Sequence, residues 1–177
     1  MNTQQRITGA ELQTLRESAG LTREALAELM GVEARSVKHW ETRPSASAPD
    51  EAAQIVRHAA QWVASTAREA LADLLRQPGG LVALVRYRET AHLPPSARAT
   101  GLRADVHGAM VARLFSDSLS AGVACRVVWF DAAHYRQWLN TQHPQHADTE
   151  ALRSEWARAA VEIQSQTRRQ DPASSPT

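Results

Sequence analysis

The segment LTREALAELMGVEARSVKHWE, Leu21 to Glu41, constrains the fold more than any other part of the chain. Its apolar residues recur at helical spacing on both sides of Gly31. Thr22 is a helix-capping residue type, and Gly31 supplies the left-handed backbone that ends the first helix. A second helix then spans about Glu33 to Glu41. Two short helices joined by so tight a turn pack at a steep angle. Ala27 is small enough for the second helix to cross close by, and Val32, Val37 and Trp40 are expected to fill the gap. The opposite face of the second helix is left to solvent. It carries Ala34, Arg35, Lys38 and His39, with Ser36 beside them. Arg35 and Lys38 lie one helical turn apart on one face. Arginine forms paired hydrogen bonds with guanine, lysine bonds guanine or phosphate, and a small alanine meets a thymine methyl. The pattern points to a helix-turn-helix unit whose second helix enters the major groove of double-stranded DNA.

Flanking segments extend the helical reading. Residues 1–7 read as a frayed arm. Thr8 and Glu11 have capping-box spacing and open a helix to Ala19, with Leu12 and Leu15 inward and Gly20 as its stop. Arg43 to Ala48 reads as a loop. Pro49, followed by Asp50 and Glu51, opens a long helix to about Arg76, with Ile55, Val56, Trp62 and Val63 on its apolar side. Pro78-Gly79-Gly80 marks a domain boundary. Beyond it, Leu81–Tyr87 and Val123–Phe130 read as strands. His92–Gly101 reads as a loop, and Ala104–Ala121 as a helix with Val106, Met110, Leu114 and Leu119 inward. Asp131 caps a helix to about Leu139. Asp148 opens a last amphipathic helix bearing Leu152, Trp156, Ala159 and Ile163, and residues 168–177 read as disordered. The expected architecture is mainly α with a small α+β part. It comprises a helix-turn-helix domain over 1–77, a strand-helix-strand-helix domain over 78–147, and a terminal helix and tail over 148–177.

The charge balance sets a limit on this reading. The net charge is +1, and residues 1–76 hold nine Arg and Lys against ten Asp and Glu. No global basic field surrounds the proposed DNA-binding part, so attraction to phosphate depends on where the cations sit. No apolar run approaches the roughly 18 residues of a membrane span, and no apolar signal core follows Met1, which predicts a cytoplasmic protein without membrane contact. Cys125 is the only cysteine and excludes an internal disulfide.

The register Leu12-x-x-Leu15-Arg16, Gly20-Leu21-Thr22, Ala27, Gly31-Val32 and Trp40-Glu41 resembles the XRE family, the repressor domains of the lambda-repressor and Cro type. The resemblance covers residues 8 to about 63 and implies a five-helix domain. It also implies base-facing roles for Glu33, Ala34, Arg35, Lys38 and His39, with Ser36 adjacent. Phosphate-facing roles fall to Thr22 and Arg23 at the start of the second helix, and to Thr42 and Arg43 after the third. Arg16 and Glu41 would pair inside the domain as structural residues, alongside Ala27, Gly31 and Trp40. Glu33 departs from the small hydroxyl residue common there; it repels phosphate unless it accepts from a cytosine amine. Ala34-Arg35-Ser36, Trp40-Glu41 and Pro49 after a polar loop resemble more narrowly the YdiL-like regulators, which include anti-CRISPR-associated repressors of phages. That resemblance implies a homodimer that binds inverted repeats and represses its own operon.

Other candidates carry less. Seven histidines are present, but only His143 and His146 are close in sequence, and no HExxH-type spacing or cysteine partner accompanies them. No metal, cofactor or catalytic site is expected. Cys125 reads as a core residue, and Ser116-Asp117-Ser118 as a solvated helix face. Trp62, Trp129, Trp138 and Trp156 read as core or interface residues, or as the lining of a ligand pocket. Two other function classes stay open: an antitoxin-type interaction protein of a toxin–antitoxin pair, and a regulator that senses a small molecule through residues 81–139.

Overall fold

The computed structural model describes residues 7–43, 48–76 and 79–170, the side chains of 164–170 excepted. Among them are helices α1 (Gly9–Ser18), α2 (Arg23–Met30), α3 (Ala34–Thr42), α4 (Asp50–Arg76), α5 (Pro95–Ala99), α6 (Ala104–Ser120), α7 (Ala132–Gln142) and α8 (Glu150–Gln170), with strands β1 (Val82–Arg86) and β2 (Cys125–Trp129). The protein is thus mainly helical with one small sheet. No described helix is long and apolar enough to cross a membrane. The chain forms two compact units, residues 1–70 with 105–113, and 71–104 with 114–177. The division falls inside α4 and α6, whereas the sequence suggested a break at Pro78-Gly79-Gly80. The terminal helix α8 belongs to the second unit with the strands. Of the segments read as arm, loop, boundary and tail, residues 1–6, 44–47, 77–78 and 171–177 lie outside the described residues.

In the first unit, local chemistry sets the helix ends. The Thr8 hydroxyl accepts from the Glu11 N–H while the Glu11 carboxylate accepts from the Thr8 N–H, a full capping box. Thr22 accepts from the Ala25 N–H at the start of α2. Gly31 ends α2 at φ 63°, a conformation that costs a side-chain-bearing residue about 1–2 kcal/mol. The core gathers Leu12, Leu26, Ala27, Val37, Ala52 and Val56, with Ile7 joining it instead of fraying. Leu15, Met30, Trp40 and Ile55 pack against it, partly buried. Trp40 is therefore half-buried and not the sealed core residue its pattern suggested; an indole is too large to be enclosed by helices this short. Val32 is 38% exposed and Leu29 45% exposed, so neither fills the inter-helix gap. Leu29 lies about 110° around the helix from the direction of Leu26 and Ala27, whereas Met30 lies close to it. Four helices occupy the first 76 positions among the described residues, not five, and residues 105–113 of α6 join them.

A buried ion cluster closes this unit. The Glu41 carboxylate is fully buried. Arg16 Nε donates to Glu41 Oε1 at 2.6 Å, and Arg23 Nε donates to Glu41 Oε2 at 2.6 Å. Arg16 Nη1 also donates to the Leu21 carbonyl at 2.7 Å. One guanidinium thereby ties the end of α1, the turn before α2 and the end of α3. The backbones of α1 and α3 meet equally closely: a Cβ on Gly9 would lie 2.5 Å from the carbonyl oxygens of Trp40 and Glu41. Only glycine allows that approach.

In the second unit, β1 and β2 pair in parallel, with Val82 opposite Cys125, Leu84 opposite Val127 and Arg86 opposite Trp129. Ala83, Val128, Tyr135, Trp156, Ala157 and Val161 form one core, which joins the sheet to α7 and α8. Tyr87, Leu93 and Ala104 form a second. The segment 92–101, read as a loop, contains α5 and follows a 3-10 turn at Thr90–His92. Pro95 at the first helical position explains the helix, since its fixed φ suits that place. Ser118 is wholly buried and Leu119 is 54% exposed, the reverse of the expected face. Val111, Leu114 and Ser118 follow the i, i+3, i+7 inward line, and Leu119 stands one position past it.

Arg153 holds this unit together. Its Nε and Nη2 donate to the two carboxylate oxygens of Asp148 at 2.8 and 2.5 Å, and its Nη1 donates to the His92 carbonyl at 2.6 Å. The guanidinium stands over Phe130 at 4.5 Å, with Tyr87 and Tyr135 each at 5.5 Å. The Tyr135 hydroxyl donates to Asp148 Oδ1 at 2.8 Å. The Arg153 hydrogen bonds hold the Asp148 carboxyl below its ordinary range, with help from Tyr135.

Two predictions follow from these clusters. Glu41→Ala strands a buried guanidinium and should cost about 3–5 kcal/mol, the range for breaking a buried pair. Arg23→Ala should cost clearly less, because the Arg23 side chain is 35% exposed and Arg16 remains to neutralise Glu41. Urea denaturation of both variants checks the order; equal losses would show that Arg23 carries as much of the cluster as Arg16. For Asp148, the folded-state pKa is depressed, so its stabilisation is complete above the unfolded value near 4 and is lost as pH falls through the folded value. Asp148→Asn should destabilise by about 1–3 kcal/mol at neutral pH, the scale of a charge-assisted hydrogen bond. The gap between wild type and variant should close below about pH 4. A gap that stays constant to pH 2 would exclude this ionisation as its source.

Candidate nucleic-acid interface

The turn between α2 and α3 is three residues, Gly31-Val32-Glu33. Its backbone is closed by Gly31 N–H donating to Glu28 and Val32 N–H donating to Ala27. Val37 and Glu41 are the buried residues of α3, one turn apart, and fix which side of the helix faces inward. The other side carries Arg35, Lys38, His39 and Thr42, all exposed, with Ala34 and Ser36 half-buried at its margin. Glu33 and Arg43, just outside the two ends of α3, are exposed as well. The residues singled out from the sequence as base-facing thus share one surface.

Their individual states differ. Arg35 Nε pairs with Glu33 Oε2 at 2.7 Å on the surface, with the two side chains 82% and 68% exposed. The acid that opposes phosphate therefore sits on the cation best suited to a base edge. An exposed pair of this kind contributes little, about 0–1 kcal/mol, and gives way to a stronger partner. Lys38 and His39 project from the middle of the same surface. Thr42 Oγ1 donates to the Lys38 carbonyl at 2.8 Å, so its hydroxyl proton is directed to its own helix and not to a phosphate. Thr22 likewise serves α2, accepting from Ala25. The Glu24 N–H, with the Thr22 hydroxyl second, holds the Glu24 carboxyl below its ordinary range.

Arg23 differs most from its expected role. It was read as a phosphate contact, and the structure gives it a structural bond to Glu41. A guanidinium carries five donors, and the side chain stays partly exposed, so the bond pins the group at the surface and does not withdraw it. Sequence reasoning paired Glu41 with Arg16 alone. The spacing of Arg23 and Glu41, on different helices, gives no sequence signal for the second bond. Gly9 was also missed, because a glycine needed for close approach looks like any other until the facing backbone is known.

The remaining candidates resolve simply. Cys125 is 1% exposed, and burial pushes its thiol up, which suits a core residue. Trp156 is enclosed, with its Nε1 donating to His134 Nδ1 at 3.2 Å. Trp129 is 47% exposed and stands under two guanidiniums, Arg88 at 4.1 Å and Arg86 at 5.3 Å. No group of three or more potential metal-ligating side chains gathers among the described residues. No protein-family model and no curated protein matches the chain.

Proposed function

We propose that the protein is a sequence-specific, double-stranded-DNA-binding transcriptional regulator, a homodimeric repressor that acts on an inverted repeat. The observation that carries this reading is the single exposed surface of α3, held outward by buried Val37 and Glu41, on which Arg35, Lys38 and His39 stand together. A helix about 13 Å long with its inner side locked and its outer side polar and cationic has the dimensions of a major-groove reader. Arg35 reads a guanine by exchanging Glu33 for the O6/N7 edge. Arg43, past the end of α3, meets a phosphate and sets register without reading sequence. The resemblance to XRE-type repressors supports the same assignment.

The weak overall charge fits a protein that acts in pairs. With nine cations against ten acids over residues 1–76, one copy gains little from counterion release. A second copy on the same site makes its contact intramolecular and raises affinity by about 10²–10⁴. Half-sites should then lie about 34–36 Å apart, or a multiple of that.

Selection of bound duplexes from a random pool tests the reading: an inverted repeat should emerge. On the selected site, Arg35→Ala should lose about 1–3 kcal/mol and relax choice at one base pair. Arg43→Ala should weaken all duplexes alike and lower the slope of log K against log salt by about one. No enriched sequence, or equal effects of the two variants on selected and random DNA, would remove α3 as the reading helix.

A further inference from the structure

Among the described residues, the two-stranded sheet leaves the backbone groups of one strand edge unbonded. The bonds that bracket the pair run from Val82 N–H to the Ala124 carbonyl and from Phe130 N–H to the Arg86 carbonyl. In a parallel ladder the backbone groups of alternate residues point to the same side. Those of Ala124, Arg126, Val128 and Phe130 therefore face β1, and those of Cys125, Val127 and Trp129 face outward. The Cys125 carbonyl accepts from its neighbour Arg126. Among the described residues no bond is formed by the outward groups of Val127 and Trp129, whose side chains are 38% and 47% exposed. On β1 the residues in the equivalent positions, Ala83 and Val85, are buried and half-buried. A cavity of about 580 Å³ is lined by Val127, Val128 and Trp129 of β2, by Arg88, Asp131 and His134, and by Trp156, Ala160 and Ile163 of α8. Natural edge strands carry proline, a bulge or inward charge to prevent pairing. β2, Cys-Arg-Val-Val-Trp, has neither proline nor an acid, and its one charge, Arg126, stands off the outward line.

We infer that this edge pairs with the same edge of a second copy, antiparallel about a two-fold axis through Val127, to make a continuous four-stranded sheet. The strand is self-complementary in that register. The axis can pass through a hydrogen-bonded or a non-hydrogen-bonded pair; one through Arg126 sets two like charges opposite each other, and Val127, the middle residue of β2, gives the longest overlap. Val127 then exchanges both backbone bonds with its twin, and Cys125 does so with Trp129. Arg126 falls opposite Val128, so no like charges meet. The two Trp129 residues, four positions apart across the axis, stand about 13 Å from each other, which keeps their stacked Arg86 and Arg88 groups separate. A five-residue backbone pair alone is too small for a stable interface of about 1,200 Å² or more, so the exposed side chains of Val127 and Trp129 must add to the contact. The inference rests on the homodimer of the proposed function and names the surface that makes it.

Sedimentation of the full chain at micromolar concentration, with and without DNA, is the test. The wild type should be a dimer. Val127→Lys, at an exposed position, should keep its melting temperature and weaken dimerisation about tenfold or more. Val127→Pro removes an outward N–H that β1 does not use and should act alike. Val127→Cys should form an intermolecular disulfide on mild oxidation, since hydrogen-bonded antiparallel partners stand about 5.5 Å apart at Cα. The wild type, whose only thiol is buried, should not. A monomeric wild type, or a Val127→Lys chain as dimeric as wild type with no crosslink through Val127→Cys, overturns the inference. A dimer broken by Val127→Lys that selects no DNA leaves this interface standing and removes the DNA reading. A monomer that selects DNA does the reverse.

Discussion

A buried carboxylate cannot remain charged among apolar side chains without compensation, and Glu41 meets that demand with two guanidiniums. The rest of the first unit follows from how these groups are reached. Arg16 comes from α1 and also binds the Leu21 carbonyl, so its side chain fixes the α1–α2 corner while it neutralises α3. Arg23 approaches from the start of α2. Three helices thus converge on one side chain, and Gly9 lets the backbones of α1 and α3 come close enough for it. Apolar burial alone would tolerate some rotation of α3 about its axis, since dispersion is not directional. A carboxylate held by directed bonds on both oxygens does not. The face of α3 turned to solvent is therefore decided by Glu41 as much as by Val37.

The second unit repeats the device with different geometry. Arg153 stands over the Phe130 ring and gives its donors to Asp148 and the His92 carbonyl. Where Glu41 is the hub of the first unit, an arginine is the hub here. A planar guanidinium suits the position because its faces accept aromatic rings while its edges bond oxygen. Among the described residues β1, β2, α7 and α8 build one core of this unit, and a plain apolar residue at position 153 would leave the Asp148 carboxylate and the His92 carbonyl without these bonds.

What could be read in advance was local. Thr8, Thr22, Gly31 and Asp131 act where they stand in sequence, through bonds to residues within three or four positions, so their roles were visible. The pairing of Arg16 with Glu41 came only from family resemblance, because 25 residues separate them. Gly9, the Arg23 bond and the Arg153 hub depend on elements far apart in the chain, and no spacing rule encodes them. Ser118 and Leu119 show a subtler failure. Hydrophobicity favoured Leu119 for the core, but helix phase placed Ser118 there instead. Val32 failed for a related reason: its N–H closes the turn on Ala27, and the turn leaves its side chain at the surface.

Trp129 brings the remaining argument to a point. An exposed tryptophan on an edge strand invites stacking with any flat partner, yet its ring is already covered by Arg88 and approached by Arg86. That cover is worth about 0.5–1 kcal/mol at an exposed site. It covers part of the ring in the isolated chain, but it places no group on the outward backbone of Val127 and Trp129. Covering a strand edge needs hydrogen-bonding groups at strand spacing, which a stacked side chain cannot offer and another strand can. Strand addition also leaves the Arg88–Trp129 stack in place, because it works in the plane of the sheet while the stack lies above it. The two features are compatible, and the guanidiniums then flank a sheet junction instead of obstructing it. A ligand stacking on the face of Trp129 that Arg88 occupies would instead have to displace Arg88, losing that contact before gaining its own. The physical preference at this edge is thus for backbone pairing over side-chain stacking.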